Sequence, residues 1–495
     1  MLVSRFGLQS PVWQSPLNVI PSVAWLNLEL ERIDVMTIGK ALVLFYRVTI
    51  IVLIGIVSLT GAGTPLQELV VRCSIEELRQ LQIRHGAAII DAIPASGGYL
   101  IALPSRINPA EIKAANSAIL TSANFELGID EPFPRSDAAR GLQWDMVPFH
   151  TSNVPRFYLN QPSATNIEVL QAHRLSTGKR SVVALIDTGI DDTHPVLNNI
   201  VVKGKNYVMR GAASEWNDPR LDQRHSTVFE LLQSQSTVFD LDFSQAPVFP
   251  VLRGNINVLF ARSAYASFRA MPLPAAFGHG TMTAGIVHLV APDAELMPMK
   301  AFDADGKANL WNLIRAVRDS VDMGADVINM SFSAPAEKET AVLFKTLAVD
   351  YAKASNVVLV AGAGNQNQDI EVLPAAIEPV NAIAAVDSHD VKASFSNYGN
   401  YISFSAPGTD VITTYPGTFA MASGTSFSAP FVSGLYALLK EAGSDGKLGR
   451  AQIERGSDSI EELNRPSLKH KLGKGRINAF KTLSIAVLGR LDEER

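Results

Sequence analysis

The feature that most constrains the fold is an alternation of short apolar segments with amphipathic helical segments from about residue 165 onward. The apolar segments are SVVALI, ADVINM, NVVLVAG and NAIAAV, and short runs that are mostly apolar are typical of strands buried on both faces. Between them, LWNLIRAVRDSVDMG places apolar residues at 310, 313, 314, 317 and 321 and ends at Gly324, and TAVLFKTLAVDYAKAS is also helical in pattern. This order predicts an α/β fold, a three-layer parallel sheet with helices on both faces, whose functional side chains lie at the carboxyl ends of strands.

Charge and cysteine content exclude several functions. The formal net charge is -5 with 18% charged residues and no basic stripe, so nucleic acid is not an expected partner. Cys73 is the single cysteine, which excludes an internal disulfide and a cysteine-based zinc cluster.

Residues 1–65 have the pattern of an export leader. The apolar run VTIIVLIGIVSL at 48–59 follows Lys40 and Arg47 and precedes the small residues TGAG, as in a secretory signal. The alternative is an uncleaved membrane anchor over residues 41–59, and Met36 is a candidate for the true start. The leader predicts a secreted or periplasmic protein, or a membrane-anchored one whose main domain is exported.

Residues 66–130 predict a separate small α+β domain. Ser74 and Glu77 form a capping box before one helix, which Gly86 ends, and Asn108 with Pro109 begins a second. With the strands around them the order is β-α-β-β-α-β, a ferredoxin-like sandwich. We expect residues 131–165 to be an exposed connector, residues 166–487 to be the main domain and residues 488–495 to be a polar tail.

Asp187 and His279 are the first two candidates for chemistry. Asp187 directly follows the strand SVVALI, although an Asp there is often only a turn cap. The tripeptide Asp-Thr-Gly also occurs in aspartic proteases, but those need a second copy, which this chain lacks. His279 stands between two glycines where a helix begins, which suits a proton-transfer group, whereas His194 is expected to be a structural or surface histidine.

Ser426 and Asn365 complete the set. Ser426 follows Gly424 at a predicted helix start, where capping is the plainer explanation. Asn365 follows another strand, where its amide can donate to an oxyanion or merely form a turn. The order Asp, His, Ser, with Asn before Ser, is one of the known orders of the serine triad. A lipase or esterase would need a Gly-x-Ser-x-Gly elbow and a different order, and neither fits.

Residues 180 to about 485 resemble a subtilisin-like serine protease domain, a subtilase. The resemblance is carried, in family order, by ALIDTGID, FGHGTMTAG, GADVINMS, VAGAGN, ASFSNYG, SGTSFSAP and LGKGRINAFKTL, among others. It implies that Asp187, His279 and Ser426 form the triad, that Asn365 serves the oxyanion hole, and that Ser331, Phe332, Ser333, Gly362, Ala363 and Gly364 bind substrate. It further implies protein or peptide substrates, a propeptide over 66–130 that inhibits the enzyme and is cleaved off within 131–165, and no cofactor for the chemistry. Structural calcium is common in the family, but no loop here has a ligand spacing that assigns it.

The chain departs from the family pattern at three places. Met282 and Thr283 replace the usual His and Val, and Phe332, Ser333 and Ala334 replace the usual small residues, so we expect reshaped substrate pockets. An insertion over 205–270 separates Asp187 from His279 and carries an imperfect ten-residue repeat at 225–254. A tolerated surface loop is the simplest interpretation of this insertion, and the alternatives are short strands in a surface excursion, a partner-binding flap or an aggregation-prone tract. The alternative function is a catalytically inactive subtilase-like binding or scaffold protein.

Overall fold

The computed structural model describes residues 65–129, 145–209, 211–215, 217–218, 257–259, 274 and 276–493. The leader with its candidate anchor, the repeat at 225–254 and residues 131–144 of the predicted maturation region lie outside the described residues.

The first domain has the predicted order of elements. These are β1 (Leu66–Arg72), α1 (Ile75–His85), β2 (Ala88–Ile93), β3 (Gly98–Pro104), α2 (Pro109–Ala115) and β4 (Leu120–Ala123). The strands form an antiparallel sheet in the order β2-β3-β1-β4, as in a ferredoxin-like sandwich. The helix boundaries follow local chemistry, because Ser74 and Glu77 make both capping-box hydrogen bonds and Gly86 adopts the left-handed conformation that ends α1.

The prediction of an exposed connector is wrong for residues 145–165. After β5 (Glu126–Gly128), this part of the chain forms β6 (Met146–Phe149), β7 (Ser152–Pro155), α3 (Arg156–Leu159) and α4 (Pro162–Thr165), and α5 (Val169–Ala172) follows. Val154 and Tyr158 are fully buried in the core of the main domain. Helices of a single turn are too short to show a 3.6-residue period, so the sequence pattern did not reveal them.

The main domain is built on a seven-stranded parallel sheet in the order β18-β17-β15-β13-β8-β11-β9. Its strands are β8 (Val182–Asp187), β9 (Lys205–Asn206), β11 (Glu295–Lys300), β13 (Val327–Met330), β15 (Val358–Gly362), β17 (Asn381–Val386) and β18 (Ile402–Pro407). Val183 and Leu185 face one core cluster, while Ala184 and Ile186 face the other. The sheet is therefore covered on both faces, as the mostly apolar segments predicted.

Helices form the outer layers. They are α6 (His279–Val290), α7 (Leu310–Asp322), α8 (Lys338–Phe344), α9 (Asp350–Ala354), α10 (Thr425–Glu441), α11 (Gly446–Gly456) and α12 (Ala479–Glu493), with a π-helical segment Lys345–Val349 joining α8 to α9. The last helix extends to Glu493 and so includes most of the expected polar tail. One core cluster contains residues of α6, α10, α11 and α12, and the other contains residues of α7, α8 and α9.

Short sheets complete the structure. Strands β10 (Asn257–Leu259), β20 (Thr418–Ala422) and β19 (Val411–Tyr415) form an antiparallel sheet in that order, and β14 (Ala334–Pro335) pairs with β16 (Val372–Leu373). Strand β12 (Lys307–Asn309) pairs antiparallel with β5, so the end of the first domain extends an edge of the main domain.

Candidate active site

Asp187 and His279 are in direct contact in the interior. Asp187 is the last residue of β8 and His279 the first of α6, and His279 Nδ1 lies 2.7 Å from Asp187 Oδ1. The same oxygen accepts a hydrogen bond from Thr188 N at 2.8 Å, and Thr283 Oγ1 lies 3.2 Å from the other oxygen. Because the carboxylate can only accept, it favours the imidazole tautomer with the proton on Nδ1. That tautomer leaves Nε2 as the basic nitrogen.

Ser426 is the second residue of α10 and lies beside His279. The ring centroids of His279 and Phe427, the residue after the serine, are 5.3 Å apart. Ser426 Oγ donates to the carbonyl of Ser331 at 3.2 Å, and Ser331 Oγ donates to the carbonyl of Ser426 at 2.7 Å. These two bonds fix the start of α10 against the end of β13.

The small residues around Ser426 allow a close approach of backbone. A Cβ added at Gly362 would lie 3.0 Å from Thr425 Oγ1, and one at Gly408 would lie 2.2 Å from Ser428 Oγ. Gly424 itself has φ 155° and ψ 158°. Because these residues are small, the carboxyl ends of the strands can pack directly against the N-terminus of α10.

Asn365 follows β15 and faces the same helix start. Its Oδ1 accepts a hydrogen bond from Thr425 N at 2.9 Å, and Gly364 N donates to Thr425 Oγ1 at 3.1 Å. Since the amide oxygen is held by Thr425, the NH2 group is the donor end of the Asn365 side chain. The structure thus brings all four predicted polar residues to the carboxyl edge of the sheet.

The prediction that residues 282 and 283 reshape substrate pockets is wrong. Met282 and Thr283 are both fully buried. Because α6 begins at His279, these positions turn toward the interior, where the Met282 carbonyl accepts from Thr413 Oγ1 and Thr283 contacts Asp187. Phe332 is also buried, with its ring centroid 5.2 Å from that of Phe302.

The residues after Phe332 do border a cavity. It has a volume of about 620 Å³ and is lined by Ser333–Glu337, Gln366, residues 370–372, and by Phe125 and Gly128 of the first domain. Ser333 and Ala334 therefore line a cavity that the main domain shares with the first domain.

Sequence reasoning missed a buried group of charges behind Asp187. Glu215, Asp218 and Lys300 are all fully buried, and Lys300 Nζ lies 3.1 Å from Asp218 Oδ2 and also donates to the carbonyl of Thr188. Burial raises the pKa of the Glu215 carboxyl to about 7, although Lys300 nearby and a hydrogen bond from Gly278 oppose the rise. Two of these residues lie within the predicted insertion 205–270, so residues 213–215 and Asp218 are packed in the interior and are not part of a surface loop.

His194 is structural, as expected. Its Nε2 lies 2.9 Å from the Thr418 carbonyl and its Nδ1 accepts from Val196 N, and burial lowers its pKa. In the part of the chain that the structure describes, no group of three or more His, Cys, Asp and Glu side chains is placed to hold a metal ion. Nor does any helix in the described ranges have the length and hydropathy to span a membrane.

An Asp–His pair at the edge of a parallel sheet, beside a serine in the first turn of a helix, is the arrangement of a serine peptidase on an α/β fold. Residues 178–472 match the subtilase family. This match spans more than half of the chain, and the chain therefore belongs to the subtilase family, the subtilisin-like serine proteases. The resemblance seen in the sequence is confirmed, as is the fold class.

Curated relatives and solved structures agree with this assignment. The chain is 30% identical over 303 residues to a thermophilic serine proteinase of Bacillus sp. (strain AK1), covering 61% of each chain. It is 27% identical over 345 residues to thermitase of Thermoactinomyces vulgaris, covering 68% of this chain and 99% of thermitase. In fold it is similar to fervidolysin from Fervidobacterium pennivorans, with a TM-score of 0.57 and 18% identity, covering 86% of this chain and 62% of that one.

Proposed function

We propose that this protein is a serine endopeptidase in which Asp187, His279 and Ser426 form the catalytic triad and Asn365 donates to the oxyanion. The observation that carries the proposal is the buried 2.7 Å contact between His279 Nδ1 and Asp187 Oδ1, next to a serine at a helix start. Such a contact fixes the imidazole for proton transfer through Nε2.

The reaction follows from these roles. Ser426 Oγ attacks the carbonyl carbon of the scissile peptide bond while His279 Nε2 takes the hydroxyl proton, which gives a tetrahedral oxyanion. The imidazolium, balanced by Asp187, then protonates the leaving amine as the C–N bond breaks, which leaves an acyl-enzyme. Water, deprotonated by the same imidazole, hydrolyses the ester, and the proton returns to Ser426. No cofactor is needed for these steps.

The oxyanion is stabilised by two kinds of donor. The N–H groups in the first turn of α10 carry a partial positive charge, and the Asn365 NH2 group supplies a second donor. The hydrogen bond from Thr425 N to Asn365 Oδ1 orients that amide. Donors held before the reaction need no reorganisation when the charge develops.

We propose that an extended peptide substrate lies along β12 and the chain after β13. The support is that β5 of the first domain already pairs antiparallel with β12, and that Ile129 N donates to the Gly306 carbonyl at 2.9 Å. Ser333 lines the cavity beside these strands. By the family resemblance, Ser331, Phe332, Gly362, Ala363 and Gly364 are the other proposed substrate contacts.

We propose further that the first domain is an inhibitory propeptide. Trp311 at the start of α7 holds it at two points, since the indole N–H donates to Asp91 Oδ2 at 2.9 Å and the Trp311 backbone N donates to Asn124 Oδ1 at 3.0 Å. Lys113 adds an ion pair with Glu339 on α8. Because the chain of the main domain is packed from residue 145 onward, we place the maturation cleavage between Ile129 and Asp145.

The export of the protein is a proposal that rests on the leader sequence. A cleaved signal at 48–59 gives a secreted or periplasmic enzyme, and retention of residues 41–59 gives a membrane-anchored one. The N-terminus of the purified extracellular form, measured by mass spectrometry, distinguishes the two and reports the maturation site.

The experiment that tests the function compares the processed protein with Ser426→Ala on denatured casein. We expect fragment release from the wild type and none from the variant. Equal release from both would refute the protease role of Ser426, and no release from either would favour the alternative of an inactive binding or scaffold protein.

A further inference from the structure

Glu215 lies against the loop that follows Asp187, although it belongs to the predicted insertion. Its backbone N donates to the Ile190 carbonyl at 3.1 Å, and Ile190 N donates to the Ala213 carbonyl. This short parallel contact fixes residues 213–215 beside the end of β8. The Glu215 side chain is fully buried there.

The Glu215 carboxylate joins the backbone on both sides of the Asp–His pair. Oε1 accepts a hydrogen bond from Gly278 N at 2.7 Å, and Gly278 directly precedes His279. Oε2 accepts from Thr188 Oγ1 at 3.1 Å, and Thr188 directly follows Asp187. Thr188 Oγ1 in turn accepts from Gly280 N at 2.9 Å. One carboxylate thus holds the residues before and after His279 and the residue after Asp187.

The charges around Glu215 come from three packed elements. Asp187 lies at the end of β8, His279 at the start of α6 and Lys300 at the end of β11, and Lys300 is paired with Asp218. The uncharged ring of Tyr415 covers Gly278 from the remaining side. Since Asp218 already balances Lys300, a charged Glu215 adds a second negative charge near the imidazole, beside Asp187.

We propose that Glu215 is a positioning residue for the catalytic pair: it fixes the start of α6 relative to Asp187, and its negative charge favours the protonated form of His279 that arises when Ser426 attacks. The inference rests on the proposed roles of Asp187, His279 and Ser426. Burial raises the pKa of the Glu215 carboxyl to about 7, so this group changes charge near neutral pH.

The first test compares Glu215→Gln with Glu215→Ala. Gln keeps an oxygen for Gly278 N but loses the charge, so we expect its kcat at the pH optimum to stay within about threefold of the wild type. In the pH profile of kcat/KM for Glu215→Gln, the acid limb should shift by about one pH unit to lower pH, because a nearby negative charge no longer favours the imidazolium. Ala also loses both hydrogen bonds, and we expect kcat to fall by about 10- to 100-fold with KM nearly unchanged.

Asp350→Asn is the matched control. Asp350 is an exposed carboxylate that pairs with Lys345 on the surface helices, so its loss removes one negative charge far from the site. We expect the pH profile of this variant to superimpose on that of the wild type.

A second measurement works even where a variant fails to mature. NMR titration of His279 in the full chain carrying Ser426→Ala, with and without Glu215→Gln, reads the charge effect without any turnover. A lower titration midpoint in the double variant supports the proposal. Identical midpoints, or a Glu215→Gln pH profile that matches the wild type, overturn it. If the role of Glu215 is refuted in this way, casein cleavage by the wild type but not by Ser426→Ala still supports the proposed peptidase function. A failure of the Glu215 proposal can therefore be distinguished from a failure of the proposed function.

Discussion

Gly280 offers a direct test of the Asp–His geometry, because its backbone touches the loop after Asp187. A Cβ added at Gly280 would lie 2.0 Å from the carbonyl oxygen of Gly189 and 3.1 Å from Asp187 Cβ. The nearest group is backbone and cannot rotate away, so Gly280→Ala must separate the two segments by about 1 Å to reach a normal contact distance. That movement would lengthen the 2.7 Å contact between His279 Nδ1 and Asp187 Oδ1 beyond the range of a hydrogen bond.

We therefore expect Gly280→Ala to lower kcat by about 100-fold with little change in KM, and to lower the free energy of unfolding by about 1–3 kcal/mol. The assay is the hydrolysis of a chromogenic peptide by the matured enzyme, with unfolding followed in urea. Gly489→Ala is the matched control, since no atom lies within 4 Å of an added Cβ in that exposed turn of α12. Wild-type kcat in Gly280→Ala, or an equal loss in both variants, would refute the reasoning.

Three further predictions concern single side chains. Asn365→Ala should lower kcat by about 100- to 1,000-fold, the size measured for an oxyanion-hole donor in subtilisin, and an unchanged kcat in steady-state kinetics would remove Asn365 from the oxyanion hole. Tyr158→Phe removes a buried hydrogen bond of 2.5 Å to the Gly285 carbonyl, so urea unfolding should report a loss of about 1–3 kcal/mol, and no loss would contradict the assigned bond. Burial lowers the pKa of His288 to about 3 from its usual 6.5. Because the unfolded chain then binds a proton that the folded chain does not, the free energy of unfolding is highest above pH 6.5 and decreases as the pH drops below it. His288→Leu should remove about 2 kcal/mol of the difference in stability between pH 7 and pH 5, and an unaltered difference would show that other groups cause it.

The fold was predictable where short-range chemistry decides it. The segment NAIAAV becomes β17 (Asn381–Val386) without any shift of boundary, and the capping box of Ser74 and Glu77 begins α1 as expected. Asp187 and His279 could be found because each stands at the end of a regular element. Residues 145–165 could not be placed, since their position depends on distant contacts such as that of Tyr158 with Gly285, 127 positions along the chain.

Glu215 was unpredictable for the same reason. No local pattern distinguishes it from the rest of the insertion, and its partner Gly278 lies 63 positions away. Lys300 directly follows the apolar run LMPM in β11, which is a signal in itself, because a buried lysine requires a partner. That signal indicates a buried acid without saying which of the 48 acidic residues supplies it.

The way the insertion is anchored explains how a long segment can separate Asp187 from His279 without disturbing their contact. At the start of the segment between residues 218 and 276, Asp218 Oδ2 accepts a hydrogen bond from Ala304 N at 2.9 Å, and at its end Ala276 N donates to the carbonyl of the same Ala304 at 3.0 Å. Both ends of this segment are therefore fixed to one residue in the loop after β11. For a loop with fixed ends, the entropic cost of closure grows only with the logarithm of its length. The length of the segment between these anchors can then change at little cost to stability, while Glu215 and Gly278 just outside the anchors hold the catalytic pair in place.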